Sequence, residues 1–150
     1  MLARIRIEHT FAASGVLIAI LLITHRCDRA ARPTWPRDQI LAAIRFVESG
    51  DRPNPPDGDD GRAIGPYQIH EVYWRDAIAA RKDLGGTYQD CRDRRYAERV
   101  LAAYMERYVP TAWATGDAEI IARTHNGGPT GPTRPQTDRY WQRVRARLSP

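Results

Sequence analysis

The chain has 150 residues, the length of one domain and enough to bury a core without metals or crosslinks. Its 42% hydrophobic and 27% charged residues are those of an ordinary globular protein, which excludes a fibre or a disordered tail. A formal charge of +5 attracts polyanions, but the arginines are dispersed and no basic run of the nucleic-acid-binding kind occurs, so no nucleic acid partner is expected.

Residues 1–30 read as an export signal. Arg4 and Arg6 precede an apolar run from Phe11 to Thr24 that only Ser14 and Gly15 interrupt. The run is shorter than the roughly 17 to 25 residues of a spanning helix. Small residues return only at Ala30 and Ala31, so an uncleaved membrane anchor through residues 11–24 is the alternative to a cleaved signal peptide. Residues 31–36, with Pro33 and Pro36, predict a linker, and 37–150 the folded domain. The two cysteines, Cys27 and Cys91, are too few for a disulfide scaffold, and removing the leader leaves Cys91 alone. No CxxC, HExxH or histidine pair has metal-ligand spacing and no glycine-rich loop follows a strand, so neither a metal nor a cofactor is expected.

From Asp38 to Ser49, Ile40, Leu41, Ile44, Phe46 and Val47 recur mostly at helical spacing, and Gly50 supplies a stop, which puts Glu48 in the last turn of a helix. Asp51 to Gly65 is dense in Pro, Gly and Asp and predicts turns with at most a small hairpin. Further helices are predicted over His70–Lys82, Tyr88–Tyr108, Asp117–His125 and Gln136–Leu148. The result is a mainly α domain with one irregular, acidic insertion.

A carboxyl group at the end of an apolar helix can hold its proton near neutral pH and act as a general acid. A second carboxylate in a wetter loop stays ionised and can serve as nucleophile or stabilise an oxocarbenium-like transition state. Glu48 and the loop residues Asp57, Asp59 and Asp60 supply that asymmetry. The same residues also fit a solvated helix end followed by turn-forming aspartates.

Three separated segments carry a resemblance: Glu48-Ser49-Gly50; Gly65-Pro66-Tyr67-Gln68-Ile69 followed by Tyr73-Trp74; and His125-Asn126-Gly127-Gly128-Pro129. With Ala103 to Tyr108 and Tyr140-Trp141, and in this order from about Ile40 to Val144, the chain resembles the invertebrate-type lysozymes, also called the destabilase family. Lytic transglycosylases and goose-type lysozymes share a looser version of the pattern. The resemblance implies an α+β lysozyme-like fold, a helical domain with a small β-hairpin and loop insertion beside the active-site cleft. It implies Glu48 as the acid that cleaves the β-1,4 bond between N-acetylmuramic acid and N-acetylglucosamine. Asp59, two residues before Gly61, matches the second carboxylate, with Asp60 as the alternative because the loop is one residue short. Tyr67, Gln68, His125, Asn126 and Gly127 are the implied substrate-binding residues, although the glycines also fit a plain helix stop.

The implied protein is an exported, monomeric muramidase acting on peptidoglycan glycan strands. A lytic transglycosylase giving anhydro-muramyl ends, or a non-catalytic wall-binding module, are the alternatives. The chain departs from the family's cystine-rich pattern, with Ile64 where a cysteine precedes Gly-Pro-Tyr, so its core must replace crosslinks. Some members are credited with an isopeptidase activity that uses serines in this loop and a lysine after Gln-Ile; here Arg62, Ala63, Ile64 and His70 stand instead, and that activity is not expected.

Overall fold

A computed structural model describes residues 33–148. The signal or anchor expected over residues 1–30, with Cys27, lies outside the described residues. Helix α1 spans Arg37–Ser49 and buries Ile40, Ala43 and Ile44. It ends where Gly50, at φ +65°, returns its N–H to Phe46 O at 2.9 Å. Strands β1 (Ala63–Ile64) and β2 (Ile69–His70) form an antiparallel hairpin in which Ala63 faces His70 and Ile64 faces Ile69.

Helix α2 (Glu71–Ala80) packs along α3 (Arg94–Tyr108), where Tyr73 and Tyr104 stack with ring centroids 3.6 Å apart. Helix α3 buries Ala97, Val100, Leu101, Tyr104 and Met105, a helical-period stripe aimed at the centre of the domain. Helices α4 (Pro110–Thr115), α5 (Ala118–Gly127) and α6 (Asp138–Arg145) complete the chain, and α1 packs against both α5 and α6. The mainly α organisation with a small hairpin is the one expected.

Three local differences from the sequence reading have physical causes. The helix predicted over Tyr88–Tyr108 is divided: Tyr88–Arg92 is a 3-10 turn, and Asp93 turns extended so that its Oδ1 can accept from Tyr96 N at 2.8 Å as the cap of α3. Helix α4 was not predicted, because it has only six residues and begins at Pro110, whose missing N–H costs nothing at a first helical position. Residues 33–36, read as linker, lie on the domain: Thr34 bridges Asp117, and Trp35 N donates to Gly116 O at 2.9 Å. Gly116 sits at φ +74°, where a Cβ would stand 2.2 Å from Trp35 O, so only glycine admits this docking.

Candidate active site

Where the end of α1, the hairpin and the end of α5 converge, a cleft of about 280 Å³ opens, lined by Glu48, Asp59, Gln68, His70, His125 and Asn126. The loop and hairpin bring Asp59 to the same cleft as Glu48. The two carboxylates differ in environment: the Glu48 side chain is 18% exposed and that of Asp59 46%. Asp60 does not line the cleft and its side chain is 98% exposed.

Glu48 is held from two sides. Tyr140, inward-facing on α6 with Val144, donates its hydroxyl to Glu48 Oε1 at 2.7 Å. Burial, and then the adjacent Glu48 carboxylate, hold the Tyr140 phenol proton far above its ordinary range, so this hydroxyl remains a donor. His125 Nε2 lies 3.4 Å from the same Oε1 and 3.1 Å from Tyr67 O. A carbonyl can only accept, so Nε2 carries the proton, which also faces Glu48. Nδ1 lies 3.5 Å from the hydroxyl of Tyr73, whose proton burial likewise holds well above its ordinary range. The imidazole is thereby fixed in one orientation beside the acid.

Asp59 and Asp60 both adopt left-handed backbone, at φ +49° and +56°. Aspartate tolerates this region better than most residues because its short side chain bonds locally. Here Asp59 Oδ1 accepts from Arg62 Nη2 at 2.8 Å, and Oδ2 lies 3.5 Å from His70 Nε2.

The expected substrate-binding residues separate into distinct roles. Asn126 is exposed, lines the cleft and makes no side-chain hydrogen bond among the described residues, leaving its amide available. Gln68 also lines the cleft, but its Nε2 is engaged by Gly65 O at 2.9 Å and Pro56 O at 3.3 Å, which ties the loop to the turn. His125, with a side chain only 4% exposed, braces Glu48 more than it meets solvent. Two expectations are corrected. The Tyr67 side chain does not face the cleft: it is completely buried, donating to Glu98 Oε1 at 2.8 Å and accepting from Arg45 Nη1 at 3.2 Å. Gly127 does not line the cleft either; a Cβ there would stand 2.6 Å from Thr137 Cγ2, so the missing side chain admits Thr137.

Tyr140, Tyr73 and His70 were not among the site residues named from the sequence. For Tyr140 a signal existed: it stands four residues before Val144, so both occupy the apolar face of an otherwise charged helix. What that face would meet was not legible.

The model of the destabilase family matches residues 40–147. The chain is 37% identical to Lysozyme 1 of Crassostrea virginica over 110 residues, 72% of this chain and 58% of that protein. It is 38% identical to a lysozyme of Magallana gigas over 106 residues, 69% of this chain and 74% of that one. Its fold is similar to the crystal structure of Tapes japonica lysozyme, with a TM-score of 0.60 and 28% identity over 75% of this chain and 91% of that one. Meretrix lusoria lysozyme in complex with Aeromonas hydrophila PliI gives a TM-score of 0.59 and 32% identity over 72% and 87% of the two chains. Against the Crassostrea virginica and Ostrea edulis lysozymes, the match spans 58% and 62% of their length. A helical frame with a small hairpin behind an acidic loop, a braced Glu48 and these relationships agree, and the chain belongs to the destabilase family.

Proposed function

We propose that this chain is a muramidase that hydrolyses the β-1,4 bond between N-acetylmuramic acid and N-acetylglucosamine in peptidoglycan. The observation that carries the reading is the pair of unlike carboxylates on one cleft, Glu48 shielded and braced by Tyr140 and His125, Asp59 open to solvent beside Arg62 and His70. The lysozyme names of its relatives support it. Glu48 gives its proton to the glycosidic oxygen as the C1–O bond breaks, and the Asp59 carboxylate stabilises or captures the positive charge that develops at C1. Water then adds at C1 and returns a proton to Glu48, so the products carry an ordinary reducing end. Asn126 offers its free amide to the sugar N-acetyl groups.

Export, by signal peptide or by an anchor through residues 11–24, is part of the proposal and rests on Arg4, Arg6 and the apolar run behind them. It would bring the enzyme to wall polymer and make it bacteriolytic.

The test is Glu48→Gln assayed by clearing of purified wall. The amide oxygen can still accept from Tyr140, so fold and wall binding should persist, while loss of the proton donor should lower the rate about 100- to 10,000-fold. Lysis within tenfold of wild type would refute Glu48 as the acid.

A further inference from the structure

The Gly65–Gln68 turn has two faces. Gln68 lines the cleft, whereas Pro66 lines a larger cavity of about 630 Å³ whose wall carries Arg45, Arg52, Arg92 and Arg94, together with Asn54. Only Asp51 and Asp93 oppose these four guanidinium groups in the lining. Two of the arginines are committed to partners through at least one terminal nitrogen. Buried Arg45 bonds Asp51 and the Tyr67 hydroxyl, and Arg92 Nη2 donates to Asp57 at 2.7 Å. The other two use only Nε: Arg52 Nε donates to Ser49 O at 2.9 Å and Arg94 Nε to Glu98 Oε1 at 2.8 Å. Their terminal nitrogens make no bond among the described residues, and neither does the side chain of Asn54. Arg45 and Glu48 are three residues apart on α1, about 4.5 Å of helix rise, so this cavity adjoins the cleft.

We propose that this cavity binds a carboxylate of the peptide stem carried by the muramic acid of a glycan strand lying in the cleft. A guanidinium fork matches a carboxylate in two parallel hydrogen bonds, and here two forks with unused donors border one cavity. A stem leaves the glycan sideways at the muramic acid, the sugar whose bond Glu48 attacks, and the arginine cavity shares α1 and the Gly65–Gln68 turn with the cleft that holds that acid. The inference rests on the muramidase reading and adds the part of the substrate that this reading leaves unassigned.

The test measures binding in the full chain carrying Glu48→Gln, so that strands survive. Three ligands are compared: strands with stems, strands stripped of stems by an amidase with the lactyl carboxyl this leaves then converted to an amide, and strands whose stem carboxylates have been converted to amides. Stem-bearing strands should bind about tenfold more tightly than either of the others, the effect of one charge-assisted pair of hydrogen bonds. Arg52→Gln with Arg94→Gln should erase that ratio, whereas Arg143→Gln on α6 with Arg147→Gln just beyond it, an equal loss of charge, should leave it intact. A ratio of one at the outset, or equal erosion by both pairs, overturns the proposal. Loss of the ratio on removing wall phosphodiester polymer, with amidation harmless, overturns it in favour of a phosphate ligand. If the otherwise unaltered chain shows the arginine-dependent ratio yet cleaves no strand, the cavity assignment stands and the muramidase reading falls.

Discussion

Single replacement of Asp59 and Asp60 by asparagine separates catalytic charge from loop geometry. Both residues sit in left-handed backbone, at φ +49° and +56°, which asparagine adopts at least as readily, so each change removes a charge and leaves the turn. Asp60 is almost wholly exposed, with Arg62 4.0 Å away, a contact of about 0 to 1 kcal/mol at most. Asp60→Asn should therefore leave the rate within about twofold, a barrier change under about 0.5 kcal/mol. Asp59 faces the cleft, and a preorganised charge acting on a developing cation is worth about 3 kcal/mol, so Asp59→Asn should slow turnover about 100-fold or more. Its ion pairs with Arg62 and His70 are half exposed and contribute little to stability, so the melting temperature should hardly change. Release of reducing ends from purified peptidoglycan reads the rate, and mass spectrometry of the products distinguishes water addition from anhydro-muramyl ends. If both variants and their double keep near-normal rates while Glu48→Gln is inactive, the two-carboxylate reasoning is refuted.

Two further outcomes concern the frame around the cleft. Gly65 sits at φ +73°, and a Cβ there would stand 2.1 Å from Cys91 O, so Gly65→Ala should cost about 3 kcal/mol or more and lower the melting temperature by roughly 10 °C; an unchanged melt would mean the turn is not packed this way. Cys91 is buried and unbonded, and burial pushes its thiol up to about 12 from an ordinary 9.0. A raised acid contributes stability in full below its unfolded value and loses it as pH climbs towards the folded one, so denaturant midpoints should fall between roughly pH 8 and 10.5, while reducing agent at pH 8 changes nothing; a midpoint flat with pH, or lowered by reductant, contradicts this.

What could be read from the sequence was what short-range chemistry decides. The spacing of Ile40, Ile44 and Val47 and the stop at Gly50 were enough for α1 and for the position of Glu48 on it. What could not be read depended on partners far along the chain. Tyr140 reaches Glu48 across 92 positions, and no local pattern announces that contact. Tyr67 was expected in the cleft because the family resemblance implied it among the substrate-binding residues. Its hydroxyl instead joins buried Arg45 to half-buried Glu98, residues whose charges gave no hint of that contact. Gly127 shows the same limit: the missing side chain was legible, but not that Thr137 fills the space.

The Gly65–Gln68 turn also explains how a family member with so few cysteines holds its hairpin in place. Three uncharged anchors reach it, two from the 3-10 turn Tyr88–Arg92 and one from α5. Gly65 lies directly against the Cys91 carbonyl, Tyr88 donates from the adjoining 3-10 turn to Ile69 O at 2.9 Å, and the Tyr67 carbonyl lies 3.1 Å from His125 Nε2 on α5. Ile64, in the position a cysteine takes elsewhere in the family, is buried in the core beside them. A disulfide restrains mainly the unfolded chain, whereas these contacts exist only in the folded one, so the hairpin and the cleft it lines should come apart together on unfolding. The same residue that braces His125 through its carbonyl braces Arg45 through its hydroxyl, and Arg45 stands in the wall of the arginine cavity. Tyr67, buried and lining neither, therefore ties His125, which stands beside Glu48, to Arg45 in the wall of the arginine cavity.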